Sequence, residues 1–186
     1  MLVSTERVIG RHNLKYFFYY KNSNSDETVE IDEIDTSMYE VSLWRPGLIN
    51  VLPHRLSHNP FAVWWLFHQF RIFSNRDYAI LLISYNDILV HRSVIYPKYF
   101  RFPFMAEGDL QIGDTSTNDE FRGKGIATFA VCRILELYKD RKLWYVTDKA
   151  NQSSIRVIEK AGFVKYGEGV RTKRFGMNIF GSFIIN

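Results

Sequence analysis

A single cysteine, Cys132, stands among the 186 residues. No intramolecular disulfide can form, and a reducing compartment is the expected setting. No stretch is long and apolar enough to cross a bilayer, since the longest unbroken apolar run covers residues 61–67. The opening residues Met-Leu-Val-Ser-Thr-Glu-Arg lack the basic-then-apolar pattern of a secretory leader, so the cytoplasm is the expected location. Charge of one sign is not concentrated: the net charge is +4, the pI is near 9.1, and the basic residues are scattered. Nucleic-acid binding is therefore not implied. His54, His58 and His68 are spaced too irregularly for a metal centre, and no metal is expected. A G-x-x-x-x-G-K-S/T phosphate loop is absent, and the spacing of a Rossmann turn is not met.

What is present is the composition of one globular domain spanning 1–186, with 46% hydrophobic and 24% charged residues. The excess is aromatic, at 16%. Such residues fill cores and also line pockets for flat or sugar-like molecules. Residues 14–20 read as a first strand. Residues 26–35 carry six carboxylates among Val29, Ile31 and Ile34, the pattern of a solvated element edge. Asn59-Pro60 opens an expected helix over 61–73. Asn86-Asp87 separates two β-branched runs, 78–85 and 88–96, and predicts a hairpin. Strands are further expected at 109–117 and 143–146, with a closing pair at 165–172 and 175–185.

The most informative stretch is Phe121-Arg-Gly-Lys-Gly-Ile-Ala127, set between a strand and a helix. After Gly125 the apolar residues Ile126, Phe129, Ala130, Ile134, Leu137 and Tyr138 recur at intervals of three and four, which predicts an amphipathic helix. Its first N–H groups have no helical partners and carry partial positive charge. Glycines let the backbone approach a ligand, and Arg122 and Lys124 add cations, so the loop suits an anion such as a diphosphate. Glycines and basic residues before a helix also form ordinary solvated loops.

A second segment narrows the reading. Arg122-Gly-Lys-Gly-Ile-Ala127 resembles the Q/R-x-x-G-x-G/A signature of the GNAT acetyltransferase superfamily at every specified position. Asn151-Gln-Ser-Ser154, followed by Gly162-Phe163, is similar to the later helix of that superfamily. The resemblance implies an α/β fold with a mixed, mostly antiparallel central sheet flanked by helices. It also implies acetyl-CoA as co-substrate, held by Arg122, Gly123, Lys124, Gly125, Ile126 and Ala127, with the pantetheine arm along Thr115 and Thr117. Asn151 and Ser154 resemble coenzyme-contacting positions, although Asn151 is equally suited to be an N-cap. Residues 21–60 stand as an enlargement expected to determine the acceptor.

The implied reaction is attack of a neutral amine on an acyl thioester. For an amine with a pKa near 10.4, only about one molecule in 2,500 is neutral at pH 7, so a proton acceptor matters. Relatives use a glutamate on the strand before the loop and a tyrosine on the later helix. Here those positions hold Gln111 and Ile158. Unbroken alternation places Asp109, Gln111, Gly113, Thr115 and Thr117 on one face and Asp114 on the other. Asp109 is the first substitute for the base, and His91, titrating near neutrality, is the second. The expected activity is acetyl transfer to a small-molecule amine. Trp64, Tyr96, Tyr99 and Phe100 motivate an amino sugar or nucleotide-linked amino sugar. Two alternatives are a catalytically silent acyl-CoA-binding regulatory module and a protein or peptide N-acetyltransferase. Monomer and dimer both remain open.

Overall fold

The computed structural model describes residues 15–22, 36–53, 56, 60–174 and 181–186. The acidic run at 26–35, Leu14, His54, His58, Asn59 and residues 175–180 lie outside that description. Eight strands form one sheet in the order β2-β3-β4-β5-β6-β1-β7-β8. They are β1 (Lys15–Asn22), β2 (Glu40–Trp44), β3 (Ala79–Tyr85), β4 (Ile88–Pro97), β5 (Leu110–Thr117), β6 (Lys142–Asp148), β7 (Val164–Arg171) and β8 (Phe183–Ile185). Among the described residues three α-helices accompany them: α1 (Pro60–Gln69), α2 (Ile126–Leu137) and α3 (Gln152–Lys160). Every neighbouring pair of strands is antiparallel except β5 and β6. The mixed, mostly antiparallel α/β architecture expected from the sequence is the one found.

The two faces of the sheet are covered differently. One carries an aliphatic layer in which Ile126, Ala130, Ile134 and Ile158 pack on Leu81, Ile83, Ile95, Leu110 and Ile112. Each fully buried Leu or Ile among them stabilises by about 1.5 to 3 kcal/mol. The other face, beneath α1, is aromatic: Phe61 and Trp64 meet Tyr78, Tyr96, Tyr99, Phe102 and Trp144. Trp64 meets Tyr96 edge-on at 5.2 Å and 73°, an arrangement favoured by ring quadrupoles, while Phe73 stacks on Tyr78 at 5.3 Å and 19°. Cys132 lies buried in the aliphatic layer, where burial pushes its thiol pKa up.

One expected element forms as read and two differ in detail. Asn86 and Asp87 both adopt positive φ, 46° and 64°, as a type I′ hairpin turn requires, and that hairpin forms as expected. The first helix ends at Gln69 instead of residue 73, because Arg71 turns left-handed at φ 55° and the Ile72 N–H bonds back to the Phe67 carbonyl at 2.9 Å. β2 falls in the stretch read only as an enlargement. It is a five-residue strand, its residues half-buried or exposed, paired on one side with β3.

Candidate functional site

The site begins with a short pairing. β5 and β6 run parallel only over Leu110–Ile112 against Leu143–Tyr145. β5 continues to Thr117 and β6 to Asp148 without partnering each other, so the sheet opens between them. β5 also carries an irregularity at this point. Val94 pairs with Gly113, but Arg92 pairs with Ser116, leaving one extra residue on β5 where Asp114 sits at φ 44°. A bulge of this kind reverses the alternation of side chains beyond it.

That reversal corrects the single-face expectation. Gln111 and Gly113 face Tyr96 on the aromatic side, as the space beside Gly113 shows. Asp114 joins them and accepts a hydrogen bond from the Tyr96 hydroxyl. Thr115 and Thr117 instead turn to the α2 side and line a cavity there. Burial, and then the charge of Asp114, raises the Tyr96 pKa well above its ordinary value, so the phenol stays protonated and donates.

The cavity on the α2 side has a volume of about 580 Å³ and lies in the opening between β5 and β6. Its mouth is the glycine loop. Gly123 and Gly125 adopt φ 77° and 76°, a region that L side chains avoid. A Cβ at Gly123 would meet nothing within 4 Å, so that glycine is needed for its backbone angle and not for space. Gly125 is the N-cap of α2 with no side-chain cap, which leaves the first helical amides directed outward. Arg122 is held by Asp119 at 2.8 Å. The Lys124 ammonium lies over the Phe121 ring at 4.7 Å.

The opposite wall is α3. The Asn151 side chain accepts from the Ser154 N–H at 3.1 Å and from the Ser153 hydroxyl at 2.8 Å, so its N-cap role is realised. At the other end Gly162 takes φ 76° while the Phe163 N–H reaches the Ile158 carbonyl at 3.0 Å. The Gly-Phe pair is therefore a helix stop that drives Phe163 into the core. Ile158 is fully buried in the aliphatic layer.

Of the residues expected to hold a coenzyme, Thr115, Thr117, Arg122, Gly123, Gly125, Ile126, Ala127, Asn151 and Ser154 line this one cavity, and Lys124 stands beside it. Tyr145 of β6 and Arg156 and Lys160 of α3 line it as well and were not anticipated. The spacing of Arg156 and Lys160, four apart on a helix, was the available signal. A larger cavity of about 890 Å³ sits by the far end of β4, among Arg71, Arg76, Lys98, Tyr99 and Phe100, and holds none of the residues expected to contact the coenzyme or to catalyse.

The two catalytic candidates lie outside the lining. Asp109 is buried before β5, where its carboxylate accepts from the Trp144 indole N–H at 2.7 Å and the Ala106 N–H at 2.9 Å. This is a structural bracket at the closed end of the β5/β6 opening. His91 is 1% exposed on β4, with its Nδ1 at 2.7 Å from the Thr117 hydroxyl and its Nε2 at 2.9 Å from the Ser93 hydroxyl. Burial first, and the Arg92 charge second, lowers its pKa to about 4. At neutral pH it is an uncharged imidazole with both nitrogens engaged.

The sheet thus opens beside the parallel pair β5/β6, and left-handed glycines lead into α2 at that opening. The sequence profile of the Acetyltransferase (GNAT) domain matches residues 55–164, and the chain belongs to that family. Among solved structures it is similar to a tandem GNAT protein from the clavulanic acid biosynthesis pathway, at TM-score 0.54 and 12% identity over 83% of this chain and 51% of that one. A Drosophila protein gives TM-score 0.55 and 13% identity over 83% and 48%. A conserved Staphylococcus epidermidis protein of unknown function gives 0.51 and 13% over 83% and 59%. At these identities the likeness is one of fold, and the chain spans between about half and three fifths of those structures. No curated protein matches the sequence.

Proposed function

We propose that the chain is an acyl-CoA-dependent N-acyltransferase that takes acetyl-CoA as donor and a small amine as acceptor. The observation that carries this reading is the β5/β6 opening, with the coenzyme-type loop on one face of the sheet and a carboxylate on the other. The loop amides, Arg122, Lys124 and Arg156 supply positive charge for the diphosphate end of the donor. The opening gives the thioester a path toward the aromatic face, from which the amine arrives. In the transfer the amine nitrogen forms a bond to the acyl carbon, the carbon–sulfur bond breaks, and one proton must leave the nitrogen while the thiolate gains one.

Asp114 takes the place of Asp109 as the proton acceptor. It is exposed, sits at the bulge beside the opening, and is held by the Tyr96 hydroxyl. Asp109 is fastened to Trp144 and Ala106, and His91 is neutral and enclosed. Tyr145, lining the cavity from β6, takes the position from which a phenol can protonate the departing sulfur. The aromatic rings that motivated an amino sugar are largely core: Trp64, Tyr96 and Tyr99 are buried, and Phe100 faces the far cavity. The acceptor reading accordingly narrows to a small amine without a stacking requirement. Part of the 21–60 stretch lies beside this face, since the Trp65 and Gln69 side chains donate to the Gly47 carbonyl at 2.9 and 3.1 Å. That supports its part in choosing the acceptor.

The test is free-thiol release from acetyl-CoA across a panel of amino sugars, polyamines and peptides. Asp114→Asn is expected to lower kcat by about 10² or more while coenzyme-induced thermal stabilisation is kept. An unchanged kcat removes Asp114 from the chemistry. A second reading, an acyl-CoA-binding module without transfer, is favoured by Gln111 and Ile158, both enclosed where relatives carry catalytic groups. Tight acetyl-CoA binding with no thiol release on any amine selects it.

A further inference from the structure

The buried hydroxyl chain behind the coenzyme cleft has a direction, and that direction has a consequence for binding. Four side chains form it. Thr117 contacts His91 Nδ1 at 2.7 Å, His91 Nε2 contacts Ser93 at 2.9 Å, and the Ser93 hydroxyl donates to the Thr115 Oγ1 at 3.2 Å. Ser93 and His91 are sealed in the sheet, at 0% and 1% exposure, while Thr115 and Thr117 form the cleft wall.

A hydroxyl has one proton, and a neutral imidazole has one N–H and one bare nitrogen. Because Ser93 gives its proton to Thr115, it can only accept from His91, so the ring proton is on Nε2. Nδ1 is then bare and accepts from the Thr117 hydroxyl. The two threonines are left with opposite characters toward the cleft. Thr115 has its own proton to donate, whereas Thr117 has already used its proton and offers only lone pairs.

We propose that His91 is a positioning residue which, through Ser93, fixes Thr115 as donor and Thr117 as acceptor so that the pair recognises one secondary amide of the coenzyme arm. Two residues apart on one side of a strand, the hydroxyls stand about 7 Å from each other. A trans amide lying between them, its carbonyl to Thr115 and its N–H to Thr117, spans that separation with two ordinary hydrogen bonds. This inference rests on the coenzyme reading above and adds a role for His91 other than proton transfer. The chain of bonds requires the uncharged ring, since an imidazolium donates from both nitrogens.

Two probes separate the inference from the reading it rests on: coenzyme A, which carries the amide arm, and adenosine 3′,5′-bisphosphate, which lacks it. Calorimetric titration gives Kd for each. Thr117→Val and Ser93→Ala are each expected to weaken coenzyme A about fivefold to tenfold, with the bisphosphate unaffected. Thr117→Ser, which keeps the hydroxyl, is expected to restore wild-type affinity. The double variant Ser93→Ala/Thr117→Val is expected to lose less than the product of the single losses, because one chain of bonds is cut twice. Equal losses on both probes, no loss on either, or no rescue by serine overturns the role of His91. If the wild-type protein binds neither probe, the coenzyme reading falls and the inference with it. Binding of both probes with an unchanged ratio in the variants overturns the inference alone.

Discussion

The two faces of the sheet handle polar groups in opposite ways. On the α2 face, one histidine and three hydroxyls are joined end to end, and the chain finishes at a cleft. On the α1 face, rings predominate and polar atoms are stranded among them: the Tyr78 hydroxyl, His68 Nδ1 and Gln111 Oε1 are buried with no hydrogen-bond partner among the described residues. An orphaned buried polar group costs about 1 to 3 kcal/mol, and the α1 face carries more of them than the α2 face, where the Tyr138 hydroxyl is the counterpart. In the proposed reading, the first face presents fixed hydrogen-bond partners to a donor of constant structure. The second presents a carboxylate over packed rings, an arrangement that accepts variation in what approaches it.

The largest expected effect comes from crowding the aromatic face. A Cβ at Gly169 would fall 2.0 Å from the Ile184 carbonyl oxygen and 2.8 Å from Phe18. Gly169→Ala is expected to destabilise by more than about 3 kcal/mol, seen as a lower urea midpoint. A near-neutral result would show that β8 shifts freely and that the aromatic face is softer than its packing indicates.

Acid sharpens the contrast between the two histidines. His91 is held neutral with a folded pKa of about 4, below the unfolded value near 6.5. The stability tied to that neutral state is complete above pH 6.5 and is lost as pH falls toward 4, because the unfolded chain takes up the proton first. Between pH 7 and 4, wild type is expected to lose about 3 kcal/mol more than His91→Gln, measured by urea unfolding at each pH. His68 is shifted downward too, by burial and then by Arg76, so it contributes a loss of the same sign that remains in the variant. Equal slopes for the two proteins would place His91 in a wetter environment.

The smallest of the three effects concerns ligand-dependent stability alone. With acetyl-CoA at a hundred times its Kd, a binder gains about 2.7 kcal/mol. Gly125→Glu sets a side chain at a left-handed N-cap and a negative charge at the diphosphate position, and is expected to abolish that gain. Unchanged stabilisation in a thermal melt would move the diphosphate away from the glycine loop.

Much of the hydroxyl face was legible in the sequence because its signals are local. The Arg122 to Ala127 loop, the three-and-four spacing in α2, and the Asn151 cap with its Gly162 stop each declare themselves within a dozen residues. The turn at Asn86 and Asp87 did the same for the hairpin. What escaped was non-local or irregular. Asp109 looked available because its partner Trp144 lies 35 positions away. The bulge at Asp114 was hidden because alternation was read as continuous, and aspartate is one of the few side chains that tolerates positive φ. The end of α1 was obscured by Phe70, Ile72 and Phe73, apolar residues that prolong the hydrophobic pattern past Arg71 without continuing the helix.

The place of β1 in the sheet has a consequence for how the chain is made. Tyr16 finds its neighbour at Asp148 and, on the other side, at Gly169, so the first described strand must wait for residues synthesised more than a hundred positions later. The β3–β4 hairpin and β5 are neighbours in both sequence and space and have their partners in hand as they emerge. Contacts of such long separation slow folding and lengthen the exposure of unpaired edges. An apolar, ring-rich strand, with Phe18 and Tyr19 destined for opposite layers, therefore waits without its partners until β6 and β7 have been made. That interval is when a chaperone or a sister chain would compete for it.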